Sequence, residues 1–200
     1  QATVTVKLGR PLTAAVRKFS RDHRVTPYMT LLAAFTAMLS RFSGQDTVVV
    51  GAAVTNRPPG TEELVGLFVD TLPLPVDLSG DPTFDELLGR VRVVTAEALD
   101  HQAAPFDELV RAVNPERDPS RNPIFQVMAE YENEVAGGFE LPELTATLLE
   151  VAPAKAAFDL MCFLSNLPDT VQVHVEYNAE LFDEATVRRF VRHFAELLRP

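Results

Sequence analysis

Two hundred residues suffice for one domain with a core of its own, or for one lobe of a larger unit. Apolar residues make up 46% and charged residues 23%, an ordinary globular balance, and no stretch approaches the roughly 18 uninterrupted apolar residues that a membrane span needs. A formal charge of -10 opposes binding to a phosphate backbone, which relies on clustered Lys and Arg, and a single cysteine, Cys162, leaves no internal disulfide and no multi-cysteine metal site.

The chain opens on a strand pattern, Ala2 to Leu8, with no basic–apolar–small signal pattern before it; further sequence is expected upstream of Gln1, and the cytoplasm is the expected compartment. Leu12, Val16 and Phe19 mark a short helix. In the next, Tyr28, Leu31, Leu32, Phe35, Met38, Leu39 and Phe42 recur at three- and four-residue intervals. Thr26 and Pro27 fit its N-cap and first position, and Gly44 fits its end. Thr47 to Val54 is continuously apolar and predicts a buried central strand. Asn56 to Gly60 reads as a loop. In Leu72-Pro73-Leu74-Pro75-Val76 both prolines fall on one phase, so this strand is expected at a sheet edge. Thr83 and Glu86 form a capping box ahead of Leu87, Leu88, Val91 and Val94, and a brief helix is expected over Phe106 to Val113. Then follow a loop (Asn114 to Asn122), a strand (Ile124 to Tyr131), a loop containing Gly137-Gly138 (Asn133 to Pro142) and a strand (Phe158 to Leu164). Val171, Val173, Val175 and Tyr177 alternate with Gln172, His174 and Glu176, a strand with one wet face. Asp183 is the expected cap of a last helix carrying Val187, Phe190, Val191, Phe194, Leu197 and Leu198. Interleaved helices and strands without a repeat or a dividing linker predict one α/β unit (an α+β sandwich) over residues 1–200, a mixed sheet covered by helices.

Residues with catalytic chemistry are scattered. The histidines His23, His101, His174 and His193 have no neighbouring His or CxxC partner and no HExxH, so no metal site is expected. His193 lies among Arg189, Arg192 and Glu196 on a polar helix face, His174 on the polar side of its strand, and His101 at the end of the long helix, where a cation suits the dipole. GxSxG, GxGxxG and GxxxxGK are missing. Glu130, Glu132 and Glu134 alternate as one solvated face, and Cys162 reads as a small core residue.

Three separated segments carry more. Val65-Gly66-Leu67-Phe68-Val69-Asp70-Thr71-Leu72-Pro73-Leu74 resembles a G-x-F-V-N-T-L motif, with Asp70 where Asn is typical. His101-Gln102-Ala103-Ala104-Pro105-Phe106-Asp107-Glu108-Leu109-Val110 resembles H-Q-x-x-P-F-E-x-L-V, and Arg121-Asn122-Pro123-Ile124-Phe125-Gln126-Val127-Met128 resembles R-x-P-L-F-x-V-M. Gly51 to Arg57, Phe158-Asp159-Leu160 and Glu176 to Phe182 add supporting matches. In this order, over nearly the whole chain, they resemble the C-terminal lobe of a nonribosomal peptide synthetase condensation domain, within the chloramphenicol-acetyltransferase-like superfamily.

The resemblance implies two such lobes with a tunnel between them, amide formation from two carrier-bound thioesters, and a catalytic H-H-x-x-x-D-G motif in the N-terminal lobe. No two histidines adjoin in this chain, so no catalytic residue is expected within it, and the N-terminal lobe is expected to be missing. Expected partners are that lobe, donor and acceptor peptidyl carrier proteins and an adjacent adenylation domain. No cofactor is expected to bind directly, the phosphopantetheine arm arriving on the carriers; no nucleic acid and no membrane are expected. The motif and tunnel-side candidates are Gly66, Phe68, Asp70, Thr71, His101, Pro105, Phe106 and Arg121. Gly66 and Phe68 fit tunnel approach or plain packing equally. Asp70 accepts a hydrogen bond where Asn would, but cannot donate one. Pro105-Phe106 fits a turn between helices, and Arg121 fits a structural bridge before a substrate contact. A non-catalytic recruitment module, or an epimerising or heterocyclising relative, is the alternative.

Overall fold

The computed structural model describes residues 1–116, 118–132, 140–141, 144–145 and 156–199. Its main sheet has six strands in the order β1-β8-β7-β4-β2-β3. They are β1 (Ala2–Lys7), β2 (Thr47–Thr55), β3 (Val69–Asp77), β4 (Val127–Glu132), β7 (Leu160–Asn166) and β8 (Val171–Tyr177); β5 (Glu140–Leu141) and β6 (Leu144–Thr145) form a separate antiparallel pair. The central strands β2, β4 and β7 run parallel, and both flanks turn antiparallel through β3 on one side and β8 and β1 on the other. This mixed sheet with its helices is the expected α/β architecture.

The helices are α1 (Arg10–Asp22), α2 (Pro27–Ser43), α3 (Phe84–Asp100), α4 (Phe106–Val113) and α5 (Glu184–Leu197). α2 is the central one. Thr26 caps it by accepting from the Met29 N–H, Pro27 opens it, and Gly44 closes it at φ 71°, a left-handed conformation suited to glycine. Its residues from Thr30 to Thr36 are all buried, because it rests on β2 and lies against α1, α3 and α5. Phe35 meets Phe190 and Phe194 of α5 edge to face, at centroid distances of 5.8 and 6.0 Å. Ser20 of α1 and Thr30 of α2 satisfy each other's buried hydroxyls at 2.8 Å.

α3 begins with the expected capping box, Thr83 and Glu86 bonding reciprocally. Asp183 stands at the N-cap of α5 but makes no side-chain capping bond, so that expectation holds for position and fails for chemistry. β3 is an edge strand paired to β2 through nine register positions, Pro73 opposite Gly51 and Pro75 opposite Val49. The missing proline donors thus cost no pairing on a second side. β4 starts at Val127 rather than Ile124, because Ile124 takes φ 70° and breaks the extended backbone. β7 runs two residues later than expected. Most of the loop expected over Asn133 to Pro142 lies outside the described residues. No helix is long and apolar enough to cross a membrane, among the described residues.

Candidate functional site

Two of the three sequence motifs meet around one glycine, which the first motif reaches through the pairing of Pro73 with Gly51. On β2, Val48, Val50 and Ala52 point into the helix-covered core, so Gly51 presents its bare backbone to the opposite face. The ring of Phe125 occupies the place of the missing side chain: a Cβ built on Gly51 would overlap three carbons of that ring. Phe125 is buried, contacts Phe106 of α4 at 5.6 Å, and stacks on Phe158 at 5.5 Å. Phe106, Phe125, Phe158 and Gly51 come from four separate sequence segments, and this stack joins them. The aiming device is local. The Phe125 N–H donates to the Pro123 carbonyl at 2.8 Å, closing a γ-turn around Ile124 at positive φ, a strained state for a β-branched residue. Nothing in the sequence marked Gly51 as the partner of Phe125; the one available signal was a glycine inside an apolar strand, which often means close approach.

The first motif leaves the sheet as a loop. The Asn56 N–H donates to the Phe68 carbonyl at 2.7 Å, pinching the two ends of the 56–68 segment together. Arg57 lies over the Phe68 ring at 3.9 Å and donates to the Thr61 and Leu64 carbonyls. Gly66 is exposed with Phe68 packed near it, and Phe68 is half-buried. The loop offers Leu64, Val65, Leu67 and Val69 to solvent, Leu67 at 89% exposure. Asp70 and Thr71 are half-buried at the start of β3, where Asp70 accepts from the Thr71 N–H at 2.7 Å. Asp70 pairs with Val54, and Thr71 with Ala53.

The remaining candidates are spread out. His101 is the C-cap of α3, exposed, its Nδ1 2.8 Å from the Glu97 carbonyl. Pro105 is the N-cap of α4, and its fixed φ starts that helix directly after the turn. Arg121 stands apart from the aromatic stack's core, 3.6 Å from Asp118, on the wall of an open cavity of about 1000 Å³ with Arg111, Asn114 and Gln126. Hydrogen bonds from Ser120 hold the Asp118 carboxyl below the usual carboxylate range.

On the sheet face opposite α2, Thr5 bonds His174 Nδ1 at 2.8 Å, and Ser165 donates to Glu132 at 2.7 Å. The reading of Glu130, Glu132 and Glu134 as one solvated face is corrected for Glu130. It is half-buried, and burial, then the Glu132 and Glu176 charges, push its carboxyl upward. Glu134 lies outside the described residues. Cys162 is fully in the core, its thiol pushed up to about 12 by burial, which makes it inert. Among the described residues, no group of His, Cys, Asp and Glu is placed to hold a metal ion.

A mixed-sheet α/β unit, with parts of its motifs packed on both faces of β2 and β3, is the class defined by this geometry. Residues 1–200 match the family model of the condensation domain, and the chain belongs to that family. It is 42% identical over 196 residues to malpinin synthetase of Mortierella alpina, covering 98% of this chain and 2% of that protein. It is 40% identical over 197 residues to a linear gramicidin synthase of Brevibacillus parabrevis, covering 97% of this chain and 2% of that protein. The chain therefore spans about 2% of the length of these relatives. Among solved structures, the X-domain in complex with OxyB from teicoplanin biosynthesis superposes with a TM-score of 0.87 at 26% identity, over 98% of this chain and 44% of that one.

Proposed function

We propose that this chain is the C-terminal lobe of an amide-forming condensation domain and supplies one wall of its substrate tunnel and part of its carrier-docking surface. The observation that carries this reading is coverage. The chain matches the family model throughout, yet accounts for 44% of the X-domain chain on which it superposes, the proportion of one lobe in two. Relatives that are peptide synthetases support the chemistry. In that reaction the acceptor amine attacks the donor thioester carbonyl; the N–C bond forms, the C–S bond breaks, and the amine proton passes to the departing thiolate. The base belongs to the N-terminal lobe. What this lobe contributes is placement and a dry wall, which count for much when charge develops on a tetrahedral carbon.

Gly66, Phe68, Asp70 and Thr71 border the tunnel in this reading. Phe106 and Pro105 brace that border through Phe125, His101 closes the helix behind it, and Arg121 serves the rim. The phosphopantetheine arms arrive on donor and acceptor carriers, and an adenylation domain loads one of them. The test joins the chain to its N-terminal lobe, supplies two aminoacyl carriers, and looks for dipeptidyl-carrier by mass spectrometry. Product is expected from the joined lobes and none from the chain alone; turnover by the chain alone overturns the reading. A second reading, a docking module for a partner enzyme, is favoured by the fold shared with the X-domain–OxyB complex. Joined lobes that retain a partner enzyme on a column but form no product would select it.

A further inference from the structure

On the helix-facing side of β2, Val48 and Val50 fill the core, but the next position in that phase is Ala52. Its neighbour on β4, one step beyond the Gly51–Met128 pair, is Ala129. Two small residues side by side leave a cavity of about 390 Å³ at the carboxyl ends of these parallel strands, walled also by Tyr28, Met29, Leu72 and Tyr131. The volume lies in the range of small-ligand pockets. Its deep end is tightly built, with Ala129 and Leu74 almost wholly buried, while Leu99 at the rim is 43% exposed.

The wall's chemistry selects the occupant. No lining residue is charged. Three of the four hydroxyl side chains in the wall are committed to the protein: Tyr28 Oη donates to the Ala129 carbonyl at 3.3 Å, Thr95 Oγ1 to the Val91 carbonyl at 2.7 Å, and Thr26 Oγ1 accepts from the Met29 N–H at 3.2 Å; Tyr131 is the fourth. With no charged group in the wall and these three hydroxyls turned to protein partners, an entering group meets mainly carbon. Leu72 and Leu74 of the wall belong to the first motif, and Asp70 lies two residues before Leu72 on the same strand. One side of the cavity wall is thus formed by residues of the first motif.

We propose that this cavity binds an uncharged apolar group of a substrate, an aliphatic or aromatic side chain or an acyl tail. Its assignment to a substrate rests on the tunnel-wall reading; binding of an apolar group does not. The protein's four methionines are Met29, Met38, Met128 and Met161, of which only Met29 lines the cavity. Methyl-labelled methionine therefore reports occupancy by NMR with three internal controls. Titration with N-acetyl-L-leucinamide, N-acetyl-L-phenylalaninamide and octanamide should shift the Met29 methyl saturably at millimolar concentration and leave the other three in place. N-acetyl-L-glutamate should do nothing. A tenfold preference for either amino-acid amide over octanamide identifies a side-chain pocket, and the reverse preference an acyl pocket. Ala52→Leu should keep or raise the melting temperature and weaken binding at least tenfold. Leu99→Glu tests the rim without touching the floor and should weaken it likewise. No saturable Met29 shift with any neutral probe, an equal response at Met38 and Met161, or undiminished binding in both variants overturns the proposal. Binding intact in a two-lobe protein that forms no amide counts against the tunnel reading alone.

Discussion

Gly51 is the residue on which the geometry is least forgiving. Its neighbour Phe125 is buried between Phe106 and Phe158, so the ring cannot swing aside without disturbing both. β2 is also held between β3 and β4, so the backbone cannot retreat. Gly51→Ala should therefore act as overpacking, which costs roughly 1–3 kcal/mol. In a chain of this size each kcal/mol lowers the melting midpoint by about 2–4 °C. Phe125→Leu in the Gly51→Ala background should return part of the loss, a coupling of about 0.5 kcal/mol or more in a double-mutant cycle. An unchanged midpoint for Gly51→Ala would show that the ring has room after all. Asp70 is expected to show the opposite tolerance: Asp70→Asn in the joined lobes should leave the yield of dipeptidyl-carrier within about tenfold, and a loss of about a thousandfold would overturn this. It only accepts, from the adjacent backbone N–H, a bond that the carbonyl oxygen of an Asn would accept equally well.

At the scale of elements, α2 has the most to lose from a bad start, because seven consecutive buried residues follow its first turn. Thr26→Ala removes the cap on the Met29 N–H and should cost about 1 kcal/mol, while Thr26→Ser should restore most of it. Thermal or urea melts measure this, and equal stability of Thr26→Ala and the parent would mean the cap is satisfied by water. The cap, Pro27 and Gly44 were legible beforehand because each acts within one turn of the chain. So were the edge strand with its prolines and the alternation of β8, since both are local periodicities. The β4 boundary was not, because Ile124 is apolar and β-branched and gave every local sign of a strand. A γ-turn that only the docked Phe125 stabilises overrode that preference. Asp183 looked like a cap by type, but no side-chain bond forms there. The candidate site divided along the same line. The motifs showed which segments matter, while the Gly51–Phe125 contact and the Ala52–Ala129 cavity arise from strand order and register, which single-strand patterns do not encode.

At the scale of the whole molecule, apolar surface is distributed unevenly. The 64–68 loop and the first residue of β3 carry Leu64, Val65, Leu67 and Val69 outward, Val65 completely so, within six residues of chain, while the exposed apolar side chains of the helices, such as Phe42, Val93, Leu99 and Val113, are separated along the sequence. Adjacent exposed residues of this kind mark an interaction surface. The loop is also shaped in advance: Asn56 pinches its base, and Arg57 ties Phe68 and two carbonyls together. A partner that binds it loses little to ordering. In the tunnel-wall reading proposed above its partner is the N-terminal lobe, and inter-lobe contacts of the usual kind bury about 600–1,500 Å². The chain alone should self-associate at tens of micromolar in sedimentation velocity. Adding the N-terminal lobe at about a hundred times its Kd should stabilise the chain by about 2.7 kcal/mol, a rise of roughly 5–10 °C in melting temperature for this size. Val65→Ser with Leu67→Ser should abolish both effects. Since both side chains are exposed, the double variant alone should melt within about 0.5 kcal/mol per site of the parent. A clean monomer with no thermal shift at saturating N-terminal lobe would reassign the loop and leave the chain an autonomous module.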